Sequence, residues 1–403
     1  MNKKIFKSTY ILILILTITL NSGNALETIF EYGKVLKYLT TLPMFIFIGT
    51  YLKNRNIKVF ETAFLVEILV LCVSFLIFPA DWMFILNLVF SVFLAYGTVL
   101  LFEFDDFVNV FIKLMIIVTI ISIIGYILVN NTHILSALFP TFINRNGVVY
   151  KIGFIFNYIT IIPERNCAIF WEPGMFACFL IIAMIFEIIL KDKTNYIHLF
   201  IFSIGIFTAN SSAGFVLWIL CMVLFILNLA DIKQINNPVI FLCMIVVFSI
   251  GIIAILNLDK IILSTELSKN EYFIKLLSQN INDSTRNNAI RYNLKTFFES
   301  PFVGIGATQY YQSVKYVADT STSTFFMSVF GFGGLFYTLF YIYGILKING
   351  INIFSKICLL AIIISILNTE PQMNNIFIWC FLFYLLKKDS SNKKSKVKNE
   401  NTT

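Results

Sequence analysis

Apolar stretches of bilayer-spanning length fill most of this chain, and they restrict the available folds more than any other feature. They fall at about 5–22, 36–52, 59–79, 82–102, 108–130, 168–190, 196–210, 212–230, 238–257, 323–346, 353–368 and 375–387. A hydrocarbon core has no water to satisfy backbone N–H and C=O groups, so apolar runs of this kind cross it as helices. Each is near the ~20 residues such a helix needs, with 196–210 and 375–387 the shortest. Only 13% of the 403 residues are charged against 58% hydrophobic, too little polar surface for a soluble protein of this size. The expected fold is an all-α polytopic membrane protein of about twelve transmembrane helices. It forms one transmembrane domain over 1–387, followed by a basic, disordered cytoplasmic tail over 388–403.

Twelve spans place both termini on one side. Lys53, Arg55, Lys58, Lys191, Lys193, Lys233, Lys347, Lys356 and the lysines of the tail assign that side to the cytoplasm. The first stretch follows Lys3, Lys4 and Lys7, as a signal peptide would, but an uncleaved span keeps the alternation of loops consistent. The tail suits anionic membrane lipid, whereas the spread of the lysines over separate loops argues against nucleic-acid binding. Arginine breaks the pattern. Of five arginines, four (Arg145, Arg165, Arg286 and Arg291) fall on the opposite, external side. Cations kept on the unfavoured side point to an anionic ligand at that face.

Two external segments are long, about 131–167 and 258–322, the second lying between spans nine and ten. In the first, Asn146-Gly147 signals a turn before the β-branched and aromatic run that starts at Val148, which fits a short hairpin or an interface-lying segment. In the second, one helix is expected over 265–277. Another should start after Asp283 or Ser284 as N-cap and stop at Ser300-Pro301, with Ile290, Leu294, Phe297 and Phe298 as its apolar side.

Several constellations could carry chemistry. Arg165 stands seven residues before Glu172-Pro173, and proline suits the first position of a helix, so a carboxylate sits where a span begins. An intramembrane carboxylate is costly unless paired, so the two residues either line an outward-facing cavity or form a boundary ion pair. Arg286 and Arg291 are five apart and point away from each other on a helix, while Arg291 and Lys295 form one basic strip. Arginine's planar fork suits diphosphate. Gly304 and Gly306 permit close backbone approach to a phosphate, or a turn after a helix. Ser211 and Ser212, in Asn210-Ser211-Ser212-Ala213-Gly214, either face a cavity or cap the next helix. Glu370-Pro371 reads as a turn. The seven cysteines and two histidines lack metal or redox spacing, so no metal and no cofactor are expected. No P-loop and no Gly-x-Ser-x-Gly motif occur, which leaves nucleotide-driven transport and serine hydrolysis unsupported.

These segments, in this order, resemble the O-antigen and capsular polysaccharide polymerases, the Wzy-like members of a superfamily that includes the O-antigen ligases. Arg165 followed by Phe170-Trp171-Glu172-Pro173-Gly174-Met175-Phe176-Ala177 looks like that family's arginine-to-Glu-Pro motif. Asn210 to Gly214 looks like its Ser-x-x-Gly turn, and Arg286 to Gly306 like its large external loop with Pro-x-x-Gly-x-Gly. Ser321 to Phe326 and Gly331 to Gly334 look like the return to the next span, so the resemblance covers about 160–345. Ligases and many polymerases carry a histidine just before that return; here Asp319 to Thr324 contains none.

The resemblance implies a GT-C-like glycosyltransferase at the outer face of the bacterial cytoplasmic membrane. It would join polyprenyl-diphosphate-linked oligosaccharide repeat units, serving as donor and acceptor, into O-antigen, capsule or exopolysaccharide, with a chain-length regulator as a possible partner. Arg165, Arg286 and Arg291 would hold the diphosphate and stabilise its charge. Glu172 would be the base on the acceptor hydroxyl or orient an arginine. A ligase and a twelve-span flippase are the alternatives. The missing histidine argues against the first, and the absence of two similar halves against the second.

Overall fold

The computed structural model describes residue 25 and residues 59–131, 138–144, 147–153, 156–190, 194–232, 285–317, 328–348, 351–369 and 373–387. The expected spans at 5–22, 36–52 and 238–257, the helix over 265–277, Arg145, Glu370 and the tail lie outside the described residues.

Proline and glycine set most boundaries. Helix α1 (Val59–Ile77) stops where Pro79 follows Phe78, and the 3-10 turn Pro79–Asp81 leads directly into α2 (Trp82–Leu101). Helix α3 (Phe104–Asn131) opens with Asp105 and Asp106 in its first turn, where the helix dipole favours anions. It is the longest described helix, about 42 Å at 1.5 Å per residue. Two stretches, Pro79–Leu100 and Phe104–Asn131, are long and apolar enough to cross a membrane, and seven shorter helices are apolar.

The surface of α3 identifies its solvent. Ile117, Ile120, Ile124 and Ile127 lie three to four residues apart and are all exposed. On α1, Leu65, Leu69 and Leu76 are likewise exposed, Leu76 by 78%. Contiguous aliphatic faces of this kind belong against lipid rather than water.

The segment expected to be external, 131–167, contains a three-stranded antiparallel sheet: β1 (Thr141–Ile143), β2 (Val149–Ile152) and β3 (Asn157–Ile159). The hairpin expected around Gly147 is present, with Phe142 opposite Tyr150, and a third strand follows it.

Helix α4 (Pro173–Ile185) begins at its proline, as the Glu172-Pro173 pair predicts and inside the approximate edge at 168, and continues as a π-helical turn over Phe186–Leu190. The five residues before Pro173 form turns because Ala168 adopts a left-handed conformation (φ +50°), incompatible with an α-helix. Helices α5 (Tyr196–Ala209) and α6 (Ser212–Ile232) follow. The polar helix α7 (Thr285–Glu299) ends before Ser300-Pro301 as expected. Its fully buried positions, however, are Ala289, Asn293 and Thr296, while Phe298 is 74% exposed. The expected apolar side is displaced from the packed face: small and polar residues pack inward and the larger apolar ones lie towards the periphery.

An additional helix, α8 (Ala307–Val317), follows the glycines. The expected span from 323 begins only at Phe332, as α9 (Phe332–Leu346). It is preceded by a 3-10 turn at Ser328–Phe330 and by Gly331 at φ +90°. Helices α10 (Ile353–Thr369) and α11 (Ile376–Lys387) complete the described fold.

Helices α1, α2, α9 and α11 pack together, as do α3, α4, α5, α6 and α10. An aromatic seam joins the two groups. Phe377 of α11 stacks on Phe111 of α3 at 4.2 Å and on Phe107 at 5.7 Å. Every residue of α11 from Ile376 to Leu386 is buried, and so is every residue of α4 except Gly174. Lys387 donates from Nζ to the Val99 carbonyl at 2.6 Å, satisfying an acceptor near the C-terminal end of α2.

Candidate functional site

The lead-in to α4 is held from three sides. The Asn166 side-chain amide donates to Ser122 Oγ of α3 and to Thr208 Oγ1 of α5, both at 3.0 Å. Its Oδ1 accepts from the Ala168 N–H at 2.9 Å, which fixes the left-handed turn. From the sheet, the Asn157 N–H donates to the Ala168 carbonyl at 2.8 Å, and the Tyr150 hydroxyl to the Trp171 carbonyl at 2.7 Å. The residues around Glu172 are thereby fixed by side-chain and backbone bonds to α3, α5 and β2–β3.

Glu172 is the N-cap of α4, in extended conformation, yet its side chain makes no capping bond. Its Oε1 is buried and has no hydrogen-bond partner among the described residues, and the same holds for Trp171 Nε1 and Arg165 Nε. No ion pair joins Arg165 to Glu172 among the described residues, so of the two readings of this pair the boundary ion pair is not formed. Both charges are felt by the intervening Cys167. Burial pushes the Cys167 thiol up to about 12; Arg165 works against this and Glu172 adds to it. The Tyr150 phenol is held above its ordinary value first by burial, then by Cys167 and Glu172.

Glu187, near the other end of the same helical stretch, provides a contrast. It is fully buried but paired, accepting from the Asn195 N–H at 2.9 Å and lying 3.1 Å from His198 Nδ1. Buried polar atoms in native proteins nearly always find partners. Two donors and one acceptor without partners within eight residues make the start of α4 a candidate site; Glu67 on α1 also has both carboxylate oxygens buried without partners among the described residues.

Ser211 meets this site from the side. A Cβ placed on Gly174 would lie 3.1 Å from Glu172 Oε1 and 3.9 Å from Ser211 Oγ, so glycine lets these two oxygens approach. Ser211 also caps α6, accepting from the Gly214 N–H at 3.3 Å, directly after Asn210 closes α5 in the left-handed region (φ +48°). Ser212 is exposed on the first turn of α6.

The other expected residues gather elsewhere. Arg286 and Arg291 both lie on α7, which packs on α8 and on the Ser328–Phe330 turn. Arg291 is exposed, and Lys295 faces Glu299 across 3.8 Å of an exposed i,i+4 pair. Gly304 (φ +69°) and Gly306 (φ +78°) do form the expected turn. The amides that follow them are already engaged: Ala307 N–H donates to Asp81 Oδ2 at 2.6 Å and Thr308 N–H to Asp81 Oδ1 at 2.8 Å. A Cβ on Gly306 would meet that Oδ2 at 2.5 Å. The glycines therefore form a turn whose following amides hold a carboxylate from the α1–α2 turn, in place of the phosphate of the alternative reading.

Sequence reasoning did not single out Trp171, Tyr150 or Asp81. Trp171 and Tyr150 stand within the motifs read above, but nothing in their spacing sets them apart from ordinary aromatic packing. Residues 70–267, just under half of the chain, match the model of a family described as WcaD colanic acid polymerase, which is a Wzy-type O-antigen/exopolysaccharide polymerase family. The matched stretch holds Arg165, Glu172, Ser211 and Ser212, whereas Arg286, Arg291, Lys295, Gly304 and Gly306 lie beyond it. No curated protein and no solved structure matches the chain.

Proposed function

Proceeding from a chain of the Wzy polymerase type, a membrane-located and glycosyltransferase-like polymerase family of polysaccharide repeat units, we propose a specific reaction. The enzyme joins polyprenyl-diphosphate-linked oligosaccharides at the outer face of the cytoplasmic membrane, with both of its termini in the cytoplasm. A hydroxyl at the non-reducing end of the acceptor attacks the anomeric carbon of the donor's first sugar. The new C–O bond forms as the bond from that carbon to the diphosphate breaks, and the polyprenyl diphosphate departs with the electron pair. Glu172 takes the hydroxyl proton. Arg165 faces the charge that grows on the leaving group, and Arg286 and Arg291 supply bidentate donors from α7. Ser211 and Ser212 lie towards the sugars, and Lys295 adds charge to the strip of Arg291.

The observation that carries this reading is the Glu172 carboxylate oxygen: buried, bonded neither to its own helix nor to Arg165, at the head of a helix enclosed on all sides. Glu187, buried near the other end of the same helical stretch, is paired, whereas Glu172 Oε1 is not.

The test is Glu172→Gln, expressed at wild-type level in a strain lacking the native gene and read on a gel of surface polysaccharide. Loss of a general base costs on the order of 10²–10⁴ in rate, so the ladder should collapse to a single repeat unit. A wild-type ladder from this variant removes Glu172 from the chemistry. Long chains retained on polyprenyl lipid in the deletion strain would identify a ligase instead.

A further inference from the structure

An apolar groove lies between α1 and α2 near the turn that joins them, with a volume of about 350 Å³ and a lining that includes Leu71, Phe75, Leu76, Trp82, Leu86 and Val89. Phe75, Leu76, Trp82 and Leu86 are exposed, so the groove opens on the surface that faces lipid.

What stands beside its upper end suggests the occupant. The Asp81 carboxylate, at the end of the joining turn, holds the start of α8, and α8 packs on α7. The two helices are also joined by the Tyr292 hydroxyl, which donates to Ser313 Oγ at 2.5 Å. On α7, Arg291, Lys295 and Phe298 recur at i, i+4 and i+7, and all three are exposed, so they share one face. Phe302, 62% exposed, comes next along the chain. The Val303 carbonyl and the Phe78 ring both flank Gly331, at 3.1 and 3.4 Å from where its Cβ would be. The turn after α7 therefore sits beside Phe78, the residue that closes α1 above the groove. Read along this path, the surface is cationic at Arg291 and Lys295, aromatic at Phe298 and Phe302, and wholly apolar in the groove. Glu299 offsets only part of that charge, across its 3.8 Å contact with Lys295.

A surface graded in this way fits an amphiphile with an anionic head and a long hydrocarbon tail. We propose that the α1–α2 groove seats the isoprenoid tail of the lipid diphosphate carrier, whose head is led to the Arg291 face of α7. The proposal rests on the function proposed above and adds to it a tail-binding site on α1 and α2. Tail contacts bind the ground state and the transition state equally, so filling the groove should raise KM and leave kcat unchanged.

The experiment uses the full chain in phosphatidylcholine nanodiscs with a polyprenyl diphosphate carrying a benzophenone on its tail. After irradiation the label should map to residues 71–89. Excess unlabelled polyprenyl diphosphate should displace it, whereas the same excess of phosphatidylglycerol should not. Leu86→Trp, at a partly exposed position that can take a larger ring, should weaken labelling and raise KM for the lipid-linked repeat about tenfold. Ile124→Trp, on the lipid-facing stripe of α3, should do neither. Label spread equally over α3, displacement by phosphatidylglycerol, or an unaltered KM in Leu86→Trp would each overturn the proposal. Labelling and competition require no turnover. A chain that labels at 71–89 but makes no polymer refutes only the polymerase reading, and one that polymerises without such labelling refutes only the groove.

Discussion

Replacing Asp81 by alanine removes the only carboxylate seen to bind the first turn of α8 among the described residues. The helix has eleven residues, below the length at which an isolated helix sustains itself in water. It is anchored by the buried Ala307, Tyr310 and Val314 and by the two bonds to Asp81, at 2.6 and 2.8 Å. A side-chain N-cap contributes ~0.5–2 kcal/mol and a carboxylate on the helix dipole a further ~0.3–1, so Asp81→Ala should cost about 1–3 kcal/mol locally. At 2 kcal/mol the opening equilibrium of α8 shifts about 30-fold. Hydrogen exchange of the 310–314 amides in detergent or nanodiscs reads this directly. Asp81→Asn keeps one acceptor and should lose roughly half of the energy, about a fivefold change. Unchanged protection in Asp81→Ala would refute the reasoning and leave α8 held by packing alone.

Asn166→Ala strands the Ala168 N–H, while Ser122 and Thr208 keep their own bonds to the Thr119 and Gly205 carbonyls; at ~1–3 kcal/mol for one stranded buried group it should lower the melting midpoint, and an unaltered midpoint would mean water replaces the amide. Gly174→Ala puts a methyl 3.1 Å from Glu172 Oε1, and should cut polymer synthesis about tenfold while the fold melts normally, as judged by in vitro polymerisation beside a thermal scan. Because burial raises the Cys167 thiol to about 12, its thiolate is scarce at pH 8; the native protein should resist maleimide at Cys167 until it is unfolded, and rapid labelling of the folded protein would contradict this.

The sequence carries its own local stops. Ser300-Pro301 marks the end of α7, and the Glu172-Pro173 pair marks the start of α4, because a proline ring restricts the residue before it and suits the first helical position. The hairpin of β1 and β2 was legible from Gly147 and the β-branched run after it, but β3 was not, since the same composition continues without a break. The Asp81–Ala307 contact spans 226 positions and follows no periodicity, so α8 and its cap were hidden. The inward face of α7 was not legible, because its packed positions Ala289, Asn293 and Thr296 are small or polar and lie beside the apolar stripe. At the candidate site, Glu172 and Arg165 stood out as charges in apolar surroundings. Trp171 did not, because an indole N–H left without an acceptor has no signature in sequence.

A helix walled in by protein on every side cannot slide, roll or tilt against lipid as a peripheral span can. Among the described neighbours, α3, α5, α6 and α10 all press on α4, and its side chains show no lipid-facing sector. The position of Glu172 relative to α3, α5, α6 and α10 is thereby set by the summed packing of the bundle. In the reaction proposed above, what travels would then be the sugar chain or the loops around it. The post bearing the carboxylate would, in that reaction, stay still and serve as the fixed mark against which each new repeat is measured.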